Sequence, residues 1–243
     1  MTTLPELPRV EILGYSIAAC TLEQAVAWAL AACREPTPKS LVTLNPEIIV
    51  QAHDDPALRV ALRSAGLTVA DGIGVVWAAK RKGLPLPGRV AGIDLVTHLL
   101  EDGAEQLKVY FLGARPGVAA RAAAAAERRF KIAAAGEHHG YFESAETGYV
   151  VEQVRCSGAN LLLAGLGAGQ ERFLFDHREA LGVPLMIGVG GTLDVLAGEA
   201  RRSPPWTRSW GIEWVWRVSL DPKRWHRLPR LLRFAWLVLG QDR

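Results

Sequence analysis

Short apolar segments alternate with amphipathic segments over most of this chain, and no other feature constrains its fold as strongly. The apolar segments are β-prone and lie at residues 41–44, 67–70, 109–112, 161–166 and 185–189, with a less apolar one at 131–135. Helical patterns occupy residues 118–130 and 21–33, the second of which opens with the capping-box pair Thr21 and Gln24. Strands that are apolar on both faces and alternate with helices predict a mostly parallel sheet covered by helices on both sides. We therefore predict an α/β, Rossmann-like fold.

Charge and tryptophan content change abruptly near residue 200. Residues 1–200 carry 18 Lys/Arg against 22 Asp/Glu, whereas residues 201–243 carry 10 against 3 and hold six of the eight tryptophans. We find no internal repeat and no low-complexity linker within residues 1–200. The sequence therefore predicts one α/β domain over 1–200 and a basic, Trp-rich helical appendage over 201–243.

Several protein classes do not fit this composition. The 243 residues are 49% hydrophobic and 22% charged, which is ordinary for a globular protein and argues against disorder or a long coiled coil. The most apolar segment, 231–239, contains Arg233 and is much shorter than the ~20 residues of a spanning helix. Residues 1–20 lack the apolar run of a secretion signal, and three cysteines without a C-x-x-C pair suit a reducing compartment. We therefore expect a cytoplasmic protein.

Polar residues and glycine turns follow several of the predicted strands. They occur at residues 43–46, 71–74, 113–117, 165–171 and 188–191. In doubly wound sheets ligands bind at the carboxyl ends of the strands, and glycine turns that open helices can hold a diphosphate through backbone amides. Each turn also has a local explanation, because Asp71 could cap the helix that follows it and each glycine turn could be a tight connection.

The fingerprints of several enzyme classes are missing from the sequence. Gly165-x-Gly167 lacks the third glycine of a dinucleotide-binding turn, since Gln170 stands in its place, and no Walker, G-x-S-x-G or H-E-x-x-H pattern occurs. No two histidines are four residues apart, so no zinc site is predicted. The D-x-D triplet that holds a divalent ion in many sugar transferases is also missing. A sugar transferase built on this sequence is expected to use arginines and helix ends instead of a metal.

An ordered series of motifs resembles one enzyme family. The motifs are TLNPE (43–47), ADGIGVV (70–76), GRVAGID (88–94), VYFLG (109–113), HGYF (139–142), GLGAGQE (165–171), GVGGTLD (188–194), RSPPW (202–206) and GIEW (211–214). Together they resemble the WecG/TagA/CpsF glycosyltransferases, family 26, over about residues 10–235. Ala168 and Gly169 stand where this family usually has Pro-Lys.

The resemblance implies an inverting, metal-independent transferase without a cofactor. Such an enzyme moves a sugar, of the N-acetylmannosamine type or a related hexose or uronic acid, from a UDP-sugar to a polyprenyl-diphosphate-linked N-acetylglucosamine. This reaction occurs at the inner membrane face during synthesis of bacterial surface polymers. Residues 1–200 would then be the catalytic domain.

The resemblance also implies roles for individual residues. Asp71 is expected to be the general base for the acceptor hydroxyl, because a carboxylate at a strand end can take the proton as the hydroxyl attacks. The residues expected to contact the sugar, diphosphate or uridine of the donor are Thr43, Asn45, Arg89, Gly113, Tyr141, Gln170, Gly190 and Asp194. Among these, the Arg89 guanidinium offers paired donors to the leaving diphosphate.

The appendage is expected to hold the enzyme at the membrane and to complete the active site. An apolar helical face is formed by Leu228, Leu231, Leu232, Ala235, Trp236 and Leu239, with Arg227, Arg230 and Arg233 on the other side. Tryptophans and basic residues suit the headgroup level of an anionic leaflet. The resemblance implies that arginines of the appendage close over the donor diphosphate, and Arg217 and Arg224 are the candidates. The alternative is an ordinary C-terminal helix that packs on the domain.

Two other functions remain open from the residues alone. A basic, Trp-rich appendage could bind nucleic acid by stacking on bases, although the resemblance predicts no nucleic-acid partner. The glycine turns could belong to an NAD-dependent oxidoreductase, although the fingerprint is incomplete. The oligomeric state is left open, with a homo-oligomer among the alternatives.

Overall fold

The computed structural model of the protein describes residues 4–200 and 228–240. The chain opens with an antiparallel hairpin of β1 (Arg9–Ile12) and β2 (Tyr15–Ala18). The main sheet contains β3 (Lys39–Leu44), β4 (Leu67–Ala70), β5 (Lys108–Gly113), β6 (Ala133–His138), β7 (Leu161–Gly165) and β8 (Leu185–Gly188). These six strands are all parallel, in the order β4-β3-β8-β7-β5-β6. The predicted α/β, Rossmann-like sheet is confirmed, and every predicted strand segment overlaps one of its strands; the hairpin was not predicted.

Helices follow the strands and cover both faces of the sheet. They are α1 (Leu22–Ala32), α2 (Pro46–Asp54), α3 (Pro56–Arg63), α4 (Ile73–Arg81), α5 (Gly92–Gly103), α6 (Val118–Phe130), α7 (Thr147–Cys156), α8 (Gln170–Asp176), α9 (Arg178–Leu181) and α10 (Thr192–Leu196). On one face, side chains of α1, α5, α6 and α10 pack against alternate strand residues such as Leu163 and Ile187. On the other face, α2, α3 and α4 cover β3 and β4, while α7, α8 and α9 cover β5, β7 and β8.

Local signals place the helix starts, as the sequence analysis predicted for α1. The Thr21 hydroxyl accepts from the Gln24 N–H at 3.3 Å, and the Gln24 side chain accepts from the Thr21 N–H at 2.9 Å, so the predicted capping box is confirmed. Helices α2 and α3 each begin with a proline that follows a capping Asn45 or Asp55. The starts of these helices are therefore fixed by residues that lie within three positions of one another in the sequence.

The C-terminal helix, Leu228–Gly240, docks on α2 with a small part of its surface. Phe234 and Val238 are 3% and 0% exposed and join the core formed by β3, α2 and α4. The Arg230 guanidinium pairs with Glu47 at 2.8 Å, and Arg233 makes two bonds of 2.5 and 2.6 Å to Asp54. Two of the arginines predicted to face an anionic membrane are thus engaged with carboxylates of α2.

The rest of this helix only partly follows the predicted amphipathic pattern. Leu232, Trp236 and Leu239 remain exposed at 75%, 69% and 45%, whereas Leu231 and Ala235 are half-buried. No helix in the described ranges is long and apolar enough to cross a membrane. The predicted appendage boundary and the candidates Arg217 and Arg224 lie outside the described residues, and so does the side chain of Leu228.

Candidate active site

The carboxyl ends of the parallel strands bring the predicted motifs to one edge of the sheet. The motif residues that follow directly are Asn45 after β3, Asp71 after β4 and Val189 after β8. Because β8 pairs directly with β3 and β7, the glycine turn at 188–191 lies between the motifs that follow those two strands. The strand order therefore brings the motif at 43–47 next to the motif at 188–194, about 150 residues further along the chain.

Asp71 is held by two donors from the segment that precedes and opens α5. Its Oδ1 accepts from Arg89 Nε at 3.3 Å, and its Oδ2 accepts from the Gly92 N–H at 3.3 Å. The segment reaches this position because the Val90 N–H donates to the Ala70 carbonyl at 2.8 Å, at the end of β4. The carboxylate does not cap α4, whose N-cap is Gly72 without a side-chain bond. The local explanation of Asp71 as a cap for the next helix is therefore wrong.

Thr43 and Asp71 converge on the first turn of α5. A Cβ placed on Gly92 would lie 3.3 Å from Thr43 Oγ1 and 3.6 Å from Asp71 Oδ2. The side chains of Asp71 and Arg89 are only 24% and 22% exposed, and Thr43 is half-buried. Glycine at position 92 thus lets a hydroxyl and a carboxylate approach the same backbone, and it forms a polar recess at the ends of β3 and β4.

Asn45 has a structural role that can be read directly from its contacts. Its side-chain oxygen accepts from the Ile48 N–H at 3.1 Å and caps α2. Its Cβ lies 3.9 Å from the position of a Cβ on Gly72, so Asn45 borders the Asp71 recess. The structure therefore brings Thr43, Asn45, Asp71 and Arg89 together, as predicted.

Three glycines form a second, backbone-lined part of the edge. A Cβ on Gly113 would stand 2.4 Å from the Gly165 carbonyl oxygen, and a Cβ on Gly165 would stand 2.8 Å from the Gly190 carbonyl oxygen. The Ala114 N–H donates to the Gly165 carbonyl at 3.0 Å. Close backbone approach thus explains Gly113 and Gly165, whereas Gly190 has open space at its Cβ position and a φ of +50° that favours glycine.

Replacing Gly113 with Ala tests this close approach. Its φ of +136° and the 2.4 Å contact leave no room for a Cβ, so we expect the free energy of unfolding in urea to fall by at least about 1–3 kcal/mol. Gly148→Ala is the matched control, because α7 has open space there; alanine should be neutral or stabilise by about 0.5–1 kcal/mol. Equal stability of the Gly113 variant and the unchanged protein would contradict the interpretation.

Gln170 is buried beside these glycines and connects two elements. Its Oε1 accepts from the Gly190 N–H at 3.1 Å, and its Nε2 donates to Glu171 Oε1 at 2.7 Å. Gln170 opens α8, which packs against both β3 and β8. Burial raises the pKa of the Glu171 carboxyl, and its bond from Gln170 opposes this in part. Gln170 was predicted as a site residue, whereas Glu171 was quoted in a motif without a role.

Two further predicted residues, Tyr141 and Asp194, lie at the same edge of the sheet as Asp71. Tyr141 follows β6 and is 71% exposed, with its backbone N–H donating to His139 Nδ1 at 3.3 Å. Asp194 stands in the first turn of α10, and its Oδ2 would lie 3.8 Å from a Cβ on Gly191. Both therefore lie at the edge of the sheet where the other predicted residues are found.

The site also contains groups that the sequence analysis did not assign. The Gly92 N–H, which binds the Asp71 carboxylate, belongs to a motif quoted for its resemblance, but only the fold reveals its contact. Within residues 4–200 and 228–240, no three His, Cys, Asp or Glu side chains are grouped to hold a metal ion. Among the described residues, this edge of the sheet therefore carries the Asp71 carboxylate, the Arg89 guanidinium, the Thr43 hydroxyl, the side-chain amides of Asn45 and Gln170, and the glycine turns.

Comparison with known proteins identifies relatives of this arrangement. The family model described as the WecG/TagA/CpsF glycosyl transferase family matches residues 10–243. A protein of Bacillus spizizenii is 34% identical over 206 residues, which are 84% of this chain and 79% of that protein. It is named N-acetylglucosaminyldiphosphoundecaprenol N-acetyl-beta-D-mannosaminyltransferase. The range matched by the family model includes every motif on which the resemblance was based.

Proposed function

Because this chain belongs to the WecG/TagA/CpsF family of glycosyl transferases, we propose that it transfers N-acetylmannosamine from a UDP-sugar to a polyprenyl-diphosphate-linked N-acetylglucosamine. The name of the Bacillus spizizenii relative supports both the sugar and the lipid acceptor. The observation that carries the proposal is the Asp71 carboxylate, held by Arg89 and Gly92 at the ligand-binding edge of the sheet. Membership in a glycosyl transferase family decides against the oxidoreductase hypothesis.

Asp71 is proposed to act as the general base in a single displacement. Its carboxylate takes the proton of the acceptor hydroxyl as the hydroxyl oxygen attacks the anomeric carbon of the donor sugar. The new C–O bond forms while the bond from that carbon to the diphosphate oxygen breaks, and its electron pair leaves with UDP. One displacement inverts the configuration at the anomeric carbon.

The remaining residues at the edge are proposed to bind the donor. The Arg89 guanidinium would stabilise the charge that develops on the leaving diphosphate, and Thr43, Asn45 and Gln170 would orient the sugar and phosphates. The glycine turns at 113–117 and 188–191 would offer backbone amides other than those of Ala114 and Gly190, which already donate to Gly165 and Gln170. Tyr141 and Asp194 would hold the uridine. Arg217 and Arg224 stay candidates for closing over the diphosphate.

The enzyme is proposed to work at the cytoplasmic face of the membrane as a peripheral protein. The C-terminal helix exposes Leu232, Trp236 and Leu239, although it docks through Phe234 and Val238. Helix α4, which follows Asp71 directly, exposes Ile73 and Trp77, one turn apart, at 46% and 40%. A Cβ on Gly74 of α4 would lie 3.4 Å from the Phe234 ring, so the two helices are neighbours. Exposed apolar residues beside the proposed base suit a lipid-linked acceptor.

A direct assay tests the proposal. The protein is incubated with a panel of UDP-sugars and a short-chain polyprenyl-diphosphate N-acetylglucosamine, and product masses are read. We expect one added N-acetylhexosamine with UDP-N-acetylmannosamine, with or without EDTA, because the sequence has no D-x-D triplet. Absence of product with every UDP-sugar would contradict the proposed transfer. Loss of activity in EDTA that magnesium or manganese restores would contradict metal independence alone.

A further inference from the structure

Glu171 is a partly buried carboxylate beside the proposed binding site for the donor sugar nucleotide. Its Oε1 accepts from Gln170 Nε2 at 2.7 Å, and the Gln170 oxygen accepts from the Gly190 N–H at 3.1 Å. A Cβ on Gly188 would lie 2.7 Å from Gln170 Nε2 and 2.8 Å from Glu171 Oε1. The carboxylate, the amide and the end of β8 therefore form one closely packed chain of groups.

This chain of hydrogen bonds gives the amide of Gln170 a single orientation. Of the two ends of this amide, only the oxygen can accept from the Gly190 N–H, and only the NH₂ group can donate to the carboxylate. A flipped amide would place NH₂ against N–H and oxygen against a carboxylate, so both contacts would become repulsive. Gly190 has a φ of +50° within the turn that leads into α10 and Asp194. The orientation of the amide is thus coupled to the geometry of that turn.

The charged groups on the elements packed around Glu171 are directed elsewhere. Helix α8 packs against α3, β3 and β8, and β8 carries no charged residue. On α3, Arg59 donates to the Ala52 and His53 carbonyls, Arg63 donates to the Gly14 carbonyl, and the Asp55 side chain caps the helix. On β3, Lys39 donates to the Thr37 carbonyl. On α8, Arg172 donates to the Asp176 carboxylate. Among the described residues, Gln170 is therefore the side chain that satisfies Glu171.

We propose that Glu171 is a positioning residue whose ionised carboxylate orients Gln170 and, through it, fixes the Gly190 turn of the donor site. The inference rests on the proposed function, because it assigns Gln170 and this turn to donor binding. Protonation of Glu171 would remove the negative charge that strengthens its bond with Gln170 and turn one of the two carboxylate oxygens into an O–H donor, so the amide would be held less firmly. The turn is then held most firmly at pH values above the pKa of Glu171 and is held less firmly as the pH falls through it, and burial moves that pKa upward from its ordinary value.

The first test follows the side-chain amide of Gln170 in ¹H–¹⁵N spectra of the full-length protein without substrate, assigned by its loss in Gln170→Ala. We expect its resonances to shift with pH at an apparent pKa above that of an ordinary glutamate, and this titration to vanish in Glu171→Gln. Glu179→Gln, an exposed glutamate on α9, should leave it unchanged. An amide that does not respond between pH 4 and 8 would overturn the proposal.

The second test measures UDP binding by calorimetry at neutral pH. Glu171→Ala should weaken UDP binding by about tenfold, equivalent to about 1.4 kcal/mol, whereas Glu179→Gln should not change it. Gly188→Ala, which pushes against the amide and the carboxylate without changing charge, should abolish the amide titration and weaken binding similarly. Unchanged affinity in Glu171→Ala would overturn the positioning role. Failure of the unchanged protein to bind UDP, with the amide titration intact, would instead contradict the proposed function.

Discussion

Replacing Asp71 with Asn should lower the rate of sugar transfer by about 10²–10⁴-fold, the range for removal of a general base. The asparagine oxygen can still accept from the Gly92 N–H, which now bonds Asp71 Oδ2 at 3.3 Å, so the first turn of α5 should keep its place. What the variant loses is the proton acceptor and the negative charge beside Arg89, whose Nε lies 3.3 Å from Asp71 Oδ1. The measurement is single-turnover transfer with saturating donor.

Two controls separate catalysis from structure in this experiment. Asp102→Asn removes an exposed carboxylate from the other end of α5 and should leave the rate unchanged. UDP affinity and the thermal unfolding temperature of the Asp71 variant should stay close to those of the unchanged protein. Full activity of Asp71→Asn would disprove the assignment and leave the carboxylate a role in holding α5.

Replacing Leu232, Trp236 and Leu239 together with Ser should reduce partitioning onto anionic vesicles by about 10²-fold. These side chains are 75%, 69% and 45% exposed, and inserting part of each into the interface contributes roughly 1 kcal/mol, so three contribute about 3 kcal/mol. The apolar contribution should dominate, because Arg230 and Arg233 of this helix already pair with Glu47 and Asp54. Vesicle sedimentation at fixed salt measures the effect.

The docked side of the helix should be unaffected by these changes. Phe234 and Val238 remain in the core, so the far-UV circular dichroism spectrum and UDP affinity should be retained. Tyr149→Ser is the matched control, because this residue is 64% exposed on α7, away from the C-terminal helix in the fold. Unchanged vesicle binding in the triple variant would show that this face does not insert into the interface.

Features set by close neighbours along the chain could be predicted from the sequence. The capping pair Thr21 and Gln24 and the strand segments of the main sheet depend on hydrophobic period and on contacts within about four residues. Parallel strands share one direction, so the polar residues after β3 and β4 had to meet at one edge. The sequence thus predicted that Thr43, Asn45 and Asp71 belong to one site.

Contacts between remote segments required the tertiary structure. The segment that carries Arg89 and Gly92 returns to the end of β4, and this return changes Asp71 from a cap of its own next helix into a carboxylate held by the start of α5. Likewise, β8 lies between β3 and β7, which places the Gly190 turn over Gln170. No local pattern encodes these pairings, because they depend on which distant surfaces pack together.

The C-terminal helix shows the same division within thirteen residues. Its helical period was evident from the sequence, but a period alone does not say which face meets the protein. Packing against α2 selected Phe234 and Val238 for the core and paired Arg230 and Arg233 with carboxylates, which left Leu232 and Trp236 in contact with solvent. The sequence by itself determined the type and order of the elements that form the main sheet, whereas the complementarity of distant surfaces decided the contacts of the site.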